Sequence, residues 1–329
     1  MKETEKHVLS SAGEDLQRGE LLSNPVRSTG QSGDPCIRYD AETGYYYALF
    51  SAPRNDRVIV YRVKSLSELN TASGKEVYVA GEDAEVKHKL YAPEITKIDG
   101  KWYIYASGAT SMEDKGKMPS CSIRLFCLEA VSDDPYGDYM FKGWLDDNLF
   151  AIDAHAFNYG GKNYIAFARC SGGNHIGIAE LEKPWKIASK TIETISSPVL
   201  PFETMHSKIN EGPFTFVAPN GKLYLLYSAN HVVSDHYCLG LLELTGDNIL
   251  CKDSWTKVDH AVFEGTEQIK SPGHCSVFMS PNGAEYWLAY HFQSSGRKLG
   301  IGRIAFDENG APVFGQPADP FLPFFAPRM

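Results

Sequence analysis

Four carboxylic residues and one imidazole stand at comparable places along the chain: Asp34, Glu94, Asp153, Glu211 and His274. Each opens a short apolar run that leads to a turn glycine, and counted back from those glycines they lie 10, 6, 8, 10 and 9 positions away. Side chains alternate along a strand with period two, so the four even offsets predict carboxylates on one side of their hairpins. His274 needs a bulge to join them. Gathered acids repel and are costly to desolvate, so a fold that collects them does so for a cation or for acid–base chemistry. Taken singly, each acid reads equally well as a turn or strand-start residue that satisfies backbone N–H groups; the repetition is what argues for a site. With no nucleophile, cofactor or phosphate loop in view, opposed carboxyls serve glycoside hydrolysis best, one protonating the leaving oxygen and one activating water. Tyr91, Phe157 and Phe214, near the strand mouths, are candidates to stack on a sugar, although each alone reads as core.

The elements that must position these residues repeat. Residues 209 to 228 read as one β-hairpin, with Pro219-Asn220-Gly221 at its turn and alternating Phe, Val, Leu and Tyr on either side. The same turn glycine and aromatic strand recur at Gly44, Gly100, Gly161, Gly221 and Gly283, spaced 56, 61, 60 and 62 residues apart. A further β-patterned run follows each, so three strands per repeat are visible and a fourth has room. Pro35 and Pro93 have no N–H to give a sheet and belong at strand starts. Repeated antiparallel units that pack radially lose most of their exposed edges, and an all-β, five-bladed β-propeller is the expectation. Its ring spans residues 32–329. Residues 1–31 are expected to form an arm packed on the ring, with a short helix near Glu14 to Arg18, and the Phe-rich tail is expected to pack on the ring as well.

A net charge of −9 and the absence of a basic run exclude a nucleic-acid binder, which would cluster Lys and Arg, and favour a neutral or cationic partner. No stretch is long and apolar enough to span a bilayer, so no membrane role is expected. The first ten residues lack the apolar core of a secretory signal, which reads as cytoplasmic, or as secreted if a leader has been removed. The seven cysteines are odd in number, contain no Cys-x-x-Cys pair and read as reduced thiols.

At these positions the sequence resembles glycoside hydrolase family 43, particularly its α-L-arabinofuranosidase-like members. The resemblance rests on Gly33-Asp34-Pro35, Ala92-Pro93-Glu94-Ile95, Ala151-Ile152-Asp153, Ile209-Asn210-Glu211-Gly212-Pro213 and Pro272-Gly273-His274-Cys275-Ser276, in that order, over residues 32 to 307. It implies Asp34 as general base, Glu211 as general acid, and Asp153 as the residue that orients the acid and raises its pKa. It also implies that His274 faces a calcium or other cation on the propeller axis, reached through water, and that Arg297 contacts the sugar. Tyr91 departs from the tryptophan that relatives often carry before Ala-Pro, which bears on sugar preference. The expected activity is inverting release of terminal α-L-arabinofuranosyl units from arabinan, arabinoxylan or their oligosaccharides, with no cofactor needed for the chemistry. A β-xylosidase or other furanosidase on the same fold and a non-catalytic carbohydrate-binding propeller are the alternatives.

Overall fold

A computed structural model describes residues 20–114, 122–320 and 322–329. The short helix expected near Glu14 to Arg18, together with Cys121 and Phe321, lies outside the described residues. The chain forms five antiparallel sheets in sequence order, each with four strands running outward from the axis, and blade three carries an extra strand, Glu193–Ser196, on its third strand. The innermost strands are Gly33–Asp40, His88–Ile98, Ala151–Tyr159, Asn210–Val217 and Lys270–Met279. All five turn glycines that mark the repeat take positive φ, between 70° and 80°, a conformation that carries no steric cost without a Cβ. The five-bladed propeller is therefore the observed architecture.

Period-two alternation explains how the blades hold together. In blade one, Tyr46, Ala48 and Phe50 point into a core shared with blade five, while Tyr47 and Leu49 point into a core shared with blade two. In blade two, Trp102, Ile104 and Ala106 turn toward blade one, and Tyr103 and Tyr105 toward blade three. Both faces of every middle strand are thus buried, which is why these runs are almost wholly apolar. The result is five inter-blade cores in place of one central core, leaving the axis free for polar groups.

Among the described residues no strand is exchanged between the first and last blades. Residues 20–32 instead bind blade five to blade one. Leu21–Leu22 pairs with Phe324–Phe325. Asn24 exchanges two 2.9 Å hydrogen bonds with the backbone of Ile301 in blade five, and Arg27 Nε donates to Leu69 O of blade one at 3.1 Å. Six cysteines are described, all as free thiols. No helix among the described residues is long and apolar enough to cross a membrane.

Candidate active site

The site is built by a backbone irregularity that recurs in every blade. Each innermost strand breaks register with its neighbour near its start: between Gly33 and Cys36, Tyr91 and Glu94, Ile152 and His155, Glu211 and Phe214, and Gly273 and Cys275. One extra residue is accommodated at each break, and it takes positive φ: Asp34 at 56°, Ala92 at 46°, Asp153 at 59°, Gly212 at 55° and His274 at 42°. Bulges of this kind re-aim a side chain out of the ladder, and positive φ at a residue with a Cβ is strained. The sequence reading required a bulge for His274 alone, but all five strands have one.

Aligned on the bulges, Asp34, Asp153 and His274 are equivalent, and Glu211 stands one residue before its bulge. Glu94 is different. It lies two residues past Ala92, equivalent to His155 and Phe214, so the matching place assigned to it by counting back from the turn is corrected: parity does not carry through a bulge. Its carboxylate faces the middle of the channel, where His155 Nδ1 is 2.7 Å from Glu94 Oε2 and His155 Nε2 is 3.0 Å from Thr215 Oγ1.

At the bulged mouth a cavity of about 450 Å³ brings together Asp34, Asp153, Glu211, His274, Tyr91 and Arg297, with Ile152 and Val232 on its wall. Phe157 and Phe214 are not there. They lie farther along their strands and line a separate cavity of about 380 Å³ at the opposite mouth, with Arg38, Thr96 and Phe278. Both rings pack against His155, at centroid distances of 5.6 and 4.1 Å, which corrects their placement beside the acids.

The carboxyls in the first cavity are held in contrasting environments. Asp34 is buried, which alone would favour its neutral form. Arg297 Nη1 donates to its Oδ1 at 2.7 Å, His274 Nδ1 lies 3.3 Å from the same oxygen, and Ser51 Oγ donates to Oδ2 at 2.5 Å. Led by the Arg297 charge, these partners outweigh burial and hold the Asp34 carboxyl well below the usual carboxylate range. Arg297 reaches it across Gly33, where a Cβ would stand 2.1 Å from the guanidinium carbon.

Glu211 is pushed the other way, up to about 7, first by burial and further by the Asp34 charge, against opposing hydrogen bonds. Tyr237 Oη donates to Glu211 Oε1 at 3.0 Å and Asn174 Nδ2 to Oε2 at 3.4 Å. Asp153 is raised as well, by burial and then by the charge of Glu211, while its Oδ2 accepts the Gly212 N–H at 2.9 Å. Burial, rather than an ionised Asp153, is thus the leading cause of the Glu211 shift, and the two neighbouring acids retain a proton between them toward neutral pH.

His274 turns its Nδ1 to Asp34, and its ring lies over Gly212, where a Cβ would be 3.0 Å away. Among the described residues no group of three or more His, Cys, Asp and Glu side chains is arranged to hold a metal ion. Calcium takes six to eight oxygen ligands, and the residues around His274 do not supply a direct site for it. The sequence reading also missed Tyr237, Ser51, Asn174 and His291. His291 Nδ1 accepts the Asp34 N–H at 3.1 Å. Its one sequence signal is an imidazole amid the apolar second strand of blade five.

An axial cavity that holds one carboxyl well below the usual carboxylate range and raises another to about 7 supplies the base and the acid that glycoside hydrolases use. The pattern of glycosyl hydrolases family 43 matches residues 22–312, and the chain belongs to that family. It is 32% identical over 271 residues to an extracellular exo-α-(1→5)-L-arabinofuranosidase of Streptomyces chartreusis, covering 79% of this chain and 80% of the relative. It is 31% identical over 318 residues to a protein of the same name from Streptomyces avermitilis, covering 90% of this chain but only 63% of that relative's length. A solved α-L-arabinofuranosidase from Lactobacillus brevis superposes with a TM-score of 0.81 at 27% identity, covering 91% of this chain and 97% of that one.

Proposed function

We propose that the chain is an α-L-arabinofuranosidase that releases terminal α-L-arabinofuranosyl units from arabinan, arabinoxylan or oligosaccharides derived from them, with inversion at the anomeric carbon. The observation that carries this reading is the opposite pKa displacement of Asp34 and Glu211 within one cavity; the names of the relatives support the choice of sugar.

Asp34, kept anionic by Arg297 and Ser51, takes a proton from a water that attacks the anomeric carbon. On the other side Glu211 gives its proton to the glycosidic oxygen as the bond from carbon to that oxygen breaks. One O–C bond forms and one breaks, and the two carboxyls exchange their protonation states. Asp153 keeps a proton within reach of Glu211 between turnovers and fixes the Gly212 N–H beside it. Tyr91 offers its ring to the sugar, and Arg297 has a donor face left for a hydroxyl.

The test is NMR of the first-formed sugar from an aryl α-L-arabinofuranoside. Initial β-hemiacetal is expected. Initial α-hemiacetal, or methyl arabinoside formed in added methanol, would show retention and move a nucleophile role to Asp34 or Asp153.

A further inference from the structure

The bulges are tied to one another around the ring by a recurring contact. In each blade the second-strand residue opposite the bulge is Ser51, Ser107, Ala168, Ser228 or His291. At three of the blade junctions that side chain accepts the N–H of the next blade's bulged residue: Ser51 Oγ from Ala92 at 2.9 Å, Ser228 Oγ from His274 at 2.6 Å, and His291 Nδ1 from Asp34 at 3.1 Å. Blade three has Ala168, which has no acceptor, and there the Asp153 carboxylate takes the Gly212 N–H instead. Four of the five positive-φ turns, at Asp34, Ala92, Gly212 and His274, are thus secured from the neighbouring blade, whereas Ser107 of blade two donates to Tyr91 O within its own sheet.

At the junction that aims Asp34 the acceptor is an imidazole and not a hydroxyl, and the imidazole makes further contacts. The His291 ring lies nearly parallel to that of Tyr237, 5.7 Å away at 11°, and Tyr237 Oη donates to Glu211. It also stacks toward His274 at 6.1 Å. His291 is fully buried, and its Nε2 has no protein acceptor among the described residues. Accepting the Asp34 N–H requires an unprotonated Nδ1, and burial favours that neutral ring.

We propose that His291 is a positioning residue for the base: its Nδ1 holds the Asp34 backbone in the strained bulge, and its ring, braced by Tyr237, fixes where Asp34 stands relative to Glu211. This rests on the roles given above to Asp34 and Glu211. Loss of the acceptor leaves a buried N–H unpaired and lets the bulge relax. The misplacement affects the water-activating half of the reaction and leaves the proton donor intact.

The experiment compares His291→Asn, whose Oδ1 replaces the acceptor, with His291→Leu, which fills the space without one. On an aryl α-L-arabinofuranoside, His291→Leu is expected to lower kcat about 100-fold with KM nearly unchanged, the size of loss that follows a misplacement of about 1 Å. His291→Asn should stay within about fivefold of the parent, on the same argument from placement. Sodium azide, which attacks the anomeric carbon without a base and yields the glycosyl azide as Glu211 protonates the leaving oxygen, should restore much of the activity of His291→Leu. Equal losses in both variants, or no response to azide, would overturn the proposal. A crystal structure of His291→Leu gives a readout independent of turnover. Asp34 is expected to leave positive φ or to part from Arg297; an unmoved Asp34 refutes the positioning role. If the parent protein does not cleave arabinofuranosides, the functional reading fails, and this structural arm still decides the role of His291.

Discussion

The two mouths of the axial channel are made by the same five strands, yet only one is equipped for chemistry. At the first mouth every strand is bulged, five residues take positive φ, and Asp34, Asp153, Glu211 and His274 are directed into one cavity. At the other the ladders are regular, and the residues that point inward are Phe157, Phe214 and Phe278 with the Arg38 and Thr96 side chains bonded to each other. Regular pleating delivers side chains that pack; the bulges turn toward the cavity side chains that would otherwise face an inter-blade core. Acid–base groups therefore sit where the backbone departs from the ladder, and the strain is sustained by inter-blade hydrogen bonds from Ser51, Ser228 and His291.

The contrast is broken most forcefully at the first mouth. Glu211→Gln is expected to lower kcat/KM about 1,000-fold on arabino-oligosaccharides, whose alkoxide leaving groups need protonation, and far less on aryl glycosides with acidic leaving groups. Equal losses on both substrates would remove Glu211 from the acid role. Phe214→Ala, at the far mouth, should instead cost about 3 kcal/mol of stability, because it empties space between His155 and the inter-blade core, while leaving KM unchanged. Tyr91→Ala should show the reverse: a raised KM and a small loss of stability. Thermal melts alongside initial rates distinguish the two, and a raised KM for Phe214→Ala would restore that ring to the sugar site.

This contrast also marks what could be read from the sequence. The glycine period and the alternation of the middle strands made the five blades legible, because a turn needing positive φ and a strand buried on both faces leave direct marks on composition. Asp34, Asp153 and Glu211 were legible as a set because they recur at strand starts. Glu94 is misplaced because its offset is compared with those of Asp34, Asp153 and Glu211, which stand at or before a bulge while Glu94 stands past one. Phe157 and Phe214 are misplaced because nearness to the strand start does not put them at the bulged mouth, and they lie four and two residues past their bulges. Ala92 and Gly212 hold bulge positions with no polar side chain, so nothing in the sequence signalled the irregularity common to all five blades. His291 and Tyr237 stand outside the innermost strands, where a single ring among apolar residues looks like core.

The smallest effect sharpens the comparison from the stability side. Glu211 has a folded pKa of about 7 against an ordinary 4.5, so between those values the native state binds more protons than the unfolded chain. Stability therefore falls as pH rises through that window: the group contributes no penalty below about 4.5, and its full cost is present above about 7. Glutamine cannot ionise, and it retains an acceptor for Tyr237. Glu211→Gln is thus expected to melt a few degrees above the parent at pH 8 and close to it at pH 4.5, with the gap opening between. Phe214→Ala, removed from the acids, should show a deficit that does not follow this curve. A Glu211→Gln advantage that stays flat with pH would mean that the buried carboxyl is not held neutral in the native site, and the proton needed at the leaving oxygen would have to come from Asp153.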